Sequence, residues 1–355
     1  MKKLVLVLLL TLLTVTANAA ILCVSKLGNA QYSEVQPAIN TASPGDTILI
    51  SPSPAYYQAF TIDRQLTLIG AGWDTTSGNT TGTQVASPVI ISGTGDGVIL
   101  RNILIVGAVY NNAVFRVQSG ASNVLVEECW FQNTLSSEND NTGCVSIDGA
   151  DISFVKCCFW RPNLAAQYGR GLSVSGVSQI IIQSCVFSHC YVSIYCPTTS
   201  SNITITHCIF DQYNGSYVFN ASAYGIVQNS VSVGSSMGSP ANFSINYCAS
   251  SGTVPSGIGN IPIVGGEFVN LVQSNPRQSD YHLTETSPLR DAGNPASPPD
   301  LDSTPADMGV YGGQIPYDEF GIPNYPFVLE LSVSPVVPQN GVMRVFSRGR
   351  VGSGN

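Results

Sequence analysis

One nine-residue pattern recurs down the middle of the chain: NVLVEECWF (123–131), DISFVKCCF (151–159), QIIIQSCVF (179–187) and NITITHCIF (202–210). Its fixed points are Cys129, Cys157, Cys185 and Cys208, spaced 28, 28 and 23 residues apart, each followed two positions later by Phe131, Phe159, Phe187 or Phe210. Such a period belongs to chains that stack one supersecondary unit on the next, because a single unit cannot bury its own apolar face. Weaker copies extend the series. GVILRNILI (97–105) puts Ile103 and Ile105 in the Cys and Phe slots, while YGIVQNSVS (224–232) and NFSINYCAS (242–250) put Ser230 and Cys248 in the first of them.

Within a unit the large apolar residues alternate, as in Ile203-Thr204-Ile205 and Cys208-Ile209-Phe210. Period two sends successive side chains to opposite faces of a strand. Two residues break the alternation between the short strands: Arg101-Asn102, Glu127-Glu128, Val155-Lys156, Gln183-Ser184, Thr206-His207, Gln228-Asn229 and Asn246-Tyr247. A gap this short predicts a tight bend, where Asn tolerates left-handed backbone. A third strand precedes each unit, at 115–117, 145–147, 172–174 and 192–194, and turn residues follow it in SGASN, DGAD, SGVSQ and PTTSSN. Three strands per turn with no room for crossover helices predict an all-β fold, a right-handed single-stranded parallel β-helix. About nine coils at roughly 4.8 Å each would give a rod on the order of 40 Å long.

Open solenoids need covered ends. At the front, Val35, Ala38, Ile39 and Ala42 fall at helical spacing before Pro44-Gly45-Asp46, which predicts a short amphipathic capping helix followed by a strand at 47–50. At the back the repeat dissolves after Cys248 into an irregular cap. The expected organisation is a signal peptide at 1–19, an N-terminal cap and first strand at 20–58, the β-helix at 59–250, and a C-terminal cap at 251–313. Residues 314–355 form a tail or the start of a sorting or anchoring segment, since 331–355 alternates like a strand.

The N-terminus reads as a secretory signal, with Lys2 and Lys3, an apolar run from 4 to 15, and Ala17-Asn18-Ala19 as a small-residue cleavage site. The run is too short to span a bilayer, so the mature chain is expected to carry no transmembrane segment and to be secreted or held at the cell surface. Loss of the two lysines takes the formal charge from −8 to −10. Charged residues make up only 10% of the chain, far below the roughly 25% of ordinary domains. Such an acidic, weakly charged exterior argues against nucleic acid as a partner and suits neutral polymers.

Ten cysteines in an exported chain point first to disulfides. The ladder spacing instead places Cys129, Cys157, Cys185 and Cys208 in one inward slot, as stacked free thiols behaving as small hydrophobes. Cys190 with Cys196 is the better disulfide candidate. No Cys/His spacing supports zinc, and His189 and His207 read as surface and turn residues.

The segment SPLRDAGNP (287–295) through ADMGVYGG (306–313), with the front motif at 32–52, resembles secreted bacterial pectate-lyase-like right-handed β-helix repeat proteins over roughly residues 30 to 313. The resemblance implies fold and export more than a reaction. It also implies that function sits on the outward face of the third-strand column and in the loops feeding it.

That column reads Arg116, Ser146, Ser173, Ser193 and holds no acid; the next reads Gln118, Asp148, Ser175. Stacking would put carboxylates on adjacent coils about 5 Å apart, the separation a retaining glycosidase uses, but Asp148 stands alone beside Gly149 as a turn residue. Lys156 is expected to make a weak surface pair with Glu128 of the previous coil. The two longest insertions, QNTLSSENDNTG (132–143) and WRPNLAAQYGR (160–170), lie on adjacent coils. Together with the columns, which supply Asp148 and Arg116, they make Arg161, Arg170, Glu138, Asp140 and Asp148 the catalytic candidates, and Trp160, Tyr168 and Arg116 the ligand-binding candidates. Asp300, Asp302 and Asp307 raise calcium as a possible ligand, although they lack the glycine and distal Glu of an EF-hand; no other cofactor is implied. Leu104, Trp130, Cys158, Val186, Ile209 and Val231 form an apolar stripe on the outside of the rod, which predicts cover by residues 317–331 or by a partner.

The function expected is that of an exported protein binding a polysaccharide or cell-surface glycan. The alternatives are a polysaccharide lyase or glycoside hydrolase using the two insertions, and the passenger or stalk of a larger adhesin.

Overall fold

The computed structural model describes residues 19–73, 82–108, 113–135, 143–162, 169–176, 179–212, 216–238, 240–317, 327–333, 341, 343 and 345–350. Its body is a parallel β-solenoid of three sheets. Sheet 1 stacks ten strands from Ile21–Val24 to Phe243–Asn246, sheet 2 nine from Gln84–Ala86 to Ile261–Pro262, and sheet 3 seven from Phe60–Ile62 to Tyr217–Ala221. Complete turns therefore number about seven rather than nine. The missing turns lie at the ends, where the described coils begin or finish without a strand in sheet 3.

Each of the seven two-residue gaps is a bend between sheets 1 and 2. Its second residue, Asn102, Glu128, Lys156, Ser184, His207, Asn229 or Tyr247, is left-handed, with φ between 51° and 60°. Only two of the seven are asparagine, so stacking holds the others in a conformation that L-residues disfavour. The pair Lys156–Glu128 forms at 3.4 Å between successive bends, with side chains only 11% and 16% exposed, so it is mostly enclosed rather than a surface pair.

In-register pairing then dictates the core. Phe131, Phe159, Phe187 and Phe210 are direct partners in sheet 2, and their rings stack at centroid distances of 5.3, 4.3 and 5.3 Å. The helix Val35–Thr41 buries Val35, Ala38 and Ile39 against the first strands, as its spacing predicts.

The cysteine slot does more than fill space. Cys129, Cys157, Cys185, Cys208 and Cys248 are buried free thiols, and each Sγ points at a main-chain oxygen of the preceding coil: Leu100, Val126, Phe154, Ile182 and Val227, at 3.4–3.7 Å. In the other direction Cys185 Sγ accepts the Cys157 N–H at 3.3 Å, and Ser230 Oγ accepts that of Cys208 at 3.1 Å. The slot thus satisfies backbone groups that the bend leaves unpaired. Cys185→Ser is expected to cost less than about 1 kcal/mol, whereas Cys185→Val, isosteric but unable to accept, should cost about 1–3 kcal/mol. Urea midpoints of the two variants check this; equal midpoints would return the thiols to the role of plain hydrophobes. The pairing of Cys190 with Cys196 does not form: both are buried free thiols, and Cys196 Sγ instead meets Thr198 at 3.7 Å.

The apolar stripe is covered by the chain itself, by a segment earlier than expected. Phe268, Tyr281, Leu289, Met308 and Val310 pack on Leu104, Trp130, Cys158, Val186, Ile209 and Val231 as a second core. Sheet 2 is therefore buried on both faces, and residues 267–317 lie along its flank. Tyr317 joins this core, while 318–326 and the side chains of 327–333 lie outside what is described. Trp130 is central, tilted against Trp73 at 4.5 Å and edge-on to Trp160 at 5.7 Å, with the Arg277 guanidinium 5.1 Å above it. Strands Phe327–Val333 and Val345–Arg350 pair as an antiparallel hairpin, in keeping with the alternation read there.

Candidate functional site

Sheet 3 carries the column that was expected to matter. Its register runs Thr61, Ile90, Arg116, Ser146, Ser173, Tyr195, Asn220. The fourth expected member, Ser193, is displaced by Tyr195, because strand Val192–Cys196 aligns Ile194, not Val192, with Leu172. Ser193 is fully buried and is met by the Gln212 amide. No acid stands in the column, as the sequence predicts. Arg170, at the start of its strand, lays its guanidinium over the Tyr195 ring at 3.4 Å from the centroid. At that distance the guanidinium is a cation held over the ring face. Ser173 sits beside this pair, 9% exposed, and its hydroxyl has no hydrogen-bond partner among the described residues. Arg116 lies two positions down the same column and is half-buried.

The other candidates separate. Arg161 is buried, 2% exposed, and donates through Nη2 to the Leu135 carbonyl at 3.3 Å, so it braces the base of the 132–143 insertion rather than facing outward. Trp160 is 9% exposed, with its indole N–H on the Ser274 carbonyl at 3.3 Å and its ring in the second core, so the face a sugar would need is occupied. Asp148 is half-buried at the turn leaving its strand, its N–H on the Val117 carbonyl. Glu138, Asp140 and Tyr168 lie outside the described residues.

Asp300, Asp302 and Asp307 each serve a separate turn of the cover. Asp300 accepts the backbone N–H groups of Asp307 and Gly313, Asp302 the backbone N–H and the hydroxyl of Thr304, and Asp307 the backbone N–H of Asp291. Among the described residues no three ligand-type side chains converge as a metal site.

A site the sequence reading missed lies under the cover. Asp211 follows Phe210 where earlier coils place Gln132, Trp160 and Ser188, and its carboxylate receives the Ser274 N–H at 3.0 Å, the Tyr281 hydroxyl at 2.9 Å and the Ser188 hydroxyl at 3.3 Å. Burial pushes its pKa up to about 6, against the opposing pull of those donors. One bend away, His207 is also buried rather than on the surface, 6% exposed, with Nε2 accepting from the Asn229 amide at 3.0 Å. Loss of water lowers its pKa to about 4. Both groups face the cover, and their arrangement fastens it. The only signal in sequence was an acid in an otherwise uncharged column.

No protein-family model matches the chain, and no curated protein matches it. Among solved structures, that of pectate lyase Pel9A is similar at 15% identity and a TM-score of 0.44, over 82% of this chain and 96% of that one. Pectin methylesterase from carrot is similar at 13% identity and a TM-score of 0.38, over 71% of this chain and 90% of that one. The chain is a parallel β-helix protein in fold, as the paired registers of its own three sheets show. Among the described residues no helix is long and apolar enough to cross a membrane.

Proposed function

We propose that this chain is an exported carbohydrate-binding β-helix protein, and that it holds acidic polysaccharide along the outer face of sheet 3. The observation that carries the reading is the Arg170 guanidinium stacked 3.4 Å over Tyr195, in a column that contains Arg116 and no carboxylate. In a chain of formal charge −8, Arg116 and Arg170 lie on a face whose described column holds no acid. Uronate units repeat along a polymer as coils repeat along the rod, so successive carboxylates can meet Arg116 and the Arg170–Tyr195 pair. Export rests on the basic, apolar and small-residue order of residues 2–19 and on the sparse charge of the surface. This reading moves the binding residues from the insertions, where Trp160 and Arg161 are enclosed, to the sheet itself.

Affinity electrophoresis through polygalacturonate, alginate and neutral dextran tests it. Retardation is expected in the two polyuronates only, weakening with added salt, and Arg170→Ala should reduce it at least tenfold. Equal retardation by dextran, or none by any polymer, would overturn the reading. The same samples are read for unsaturated products and new reducing ends. Turnover abolished by Arg170→Ala would replace binding with a lyase.

A further inference from the structure

The cover carries a hollow of about 150 Å³ that shares no residue with the sheet 3 face. Strand Asp280–Leu283 builds one wall. Tyr281 turns inward to Asp211, which leaves Asp280 and His282 on the opposite face. Asp280 Oδ1 accepts from both the backbone N–H of His282, at 3.0 Å, and its Nδ1, at 2.7 Å, so the ring has one orientation and one tautomer when neutral. The ring lies flat on Tyr311, with centroids 3.7 Å apart and planes 11° apart. Met308 and Val310, both buried, and the half-buried Leu283 give the hollow an apolar floor. Arg290 and Asp307 complete the rim with a fork of donors and a carboxylate acceptor.

The ligand class follows from what these groups accept together. A sugar ring presents an aliphatic C–H face and an edge of hydroxyls that both donate and accept. The hollow offers an apolar floor with a donor and an acceptor side by side. An anion would meet Asp307, and a cation would meet Arg290. Its volume is below the usual range for drug-sized ligands, so it takes one ring rather than a chain. We propose that this hollow binds a single neutral pyranose, such as the terminal unit of a glycan, independently of the sheet 3 face.

Saturation-transfer NMR on the full chain with glucose, galactose, mannose and N-acetylglucosamine tests it. At least one should bind saturably, with Kd on the order of millimolar. His282→Ala and Arg290→Ala should each weaken that binding at least tenfold, while Arg170→Ala leaves it unchanged. His282 and Arg290 are both exposed, so an unshifted urea midpoint shows that each variant is folded. Absence of saturable binding for all four sugars, or binding indifferent to both cover variants, overturns the proposal. Tighter binding of glucuronate than of glucose would overturn it as well.

Discussion

Phe159→Ala is expected to lower the unfolding free energy by about 3–5 kcal/mol, the cost of removing a fully buried aromatic from a site that cannot collapse. The site is rigid for a topological reason. Phe159 is the direct ladder partner of Phe131 below and Phe187 above, and its ring lies parallel to that of Phe187 within 1° at 4.3 Å. A side chain can close a void only if its backbone moves. Here each backbone is hydrogen-bonded in register to coils on both sides, so closing the void would shift several ladders together. Phe154 also stands edge-on to Phe159 at 5.4 Å and would lose that contact. Chemical denaturation followed by circular dichroism, with the exposed Ile181→Ala as a control expected within about 0.5 kcal/mol of wild type, measures the difference. A cost below about 1 kcal/mol for Phe159→Ala would mean that the phenylalanine column is not the spine of the solenoid. The transition should remain single. An ordinary solenoid could split at a weakened coil, but the cover spans sheet 2 from Leu104 to Val231 and ties the coils on both sides together.

What made that column legible before any coordinates was its repetition. The Cys-x-Phe spacing identified the inward residues, the two-residue bends and the third strand, because each rests on a short-range pattern that stacking enforces many times over. Features that occur once were harder to read. Ser193 and Tyr195 differ by a single step of the alternation, and nothing local says which one the strand Val192–Cys196 aligns with Ser173. The cover over the apolar stripe comes from 267–317 because Tyr281 and Ser274 find Asp211, and Asn294 finds Asn229. These contacts are 63 to 70 residues apart in sequence and leave no periodic trace. Trp160 and Arg161 drew attention as an aromatic and a cation in a long insertion, yet the first belongs to the second core and the second to the base of the loop. Large side chains flanking a loop report packing as readily as binding. The residues of the sheet 3 face were visible only in part: Arg116 and Ser173 by column, Arg170 by its insertion, and Tyr195 not at all.

The fastening of the cover leads to the second large expectation, a stability that hardly changes between pH 7 and 4 and separates into opposite slopes when either anchor is replaced. For His207 the folded pKa, about 4, lies below the ordinary 6.5. The unfolded chain therefore binds the proton first, and stability present above pH 6.5 is lost as pH falls through about 4. For Asp211 the folded pKa, about 6, lies above the ordinary 3.8. Its contribution is full below pH 3.8 and is lost as pH rises through about 6. Each shift corresponds to about 3 kcal/mol, with opposite sign. In the wild type the two nearly offset one another. Asp211→Asn should therefore lose about 3 kcal/mol on going from pH 7 to 4, with His189, whose pKa burial also lowers, adding to the loss. His207→Asn, which replaces the imidazole with a neutral amide and tolerates the left-handed bend, should instead gain about 3 kcal/mol over the same range, with Asp300 and Asp307, both raised by burial, acting in the same sense. The exposed carboxylates Asp63, Asp96 and Asp302 are held below the usual range by their hydrogen-bond partners and act only at the acid end. Urea midpoints at pH 7, 5.5 and 4 for the wild type, both single variants and the double variant resolve the matter, because the slope rather than the absolute stability is the readout. Parallel slopes in all four proteins would mean that neither group is buried under a closed cover. Divergent slopes in the singles and a flat double would establish that the flank of the solenoid is locked by one acid and one imidazole working against each other.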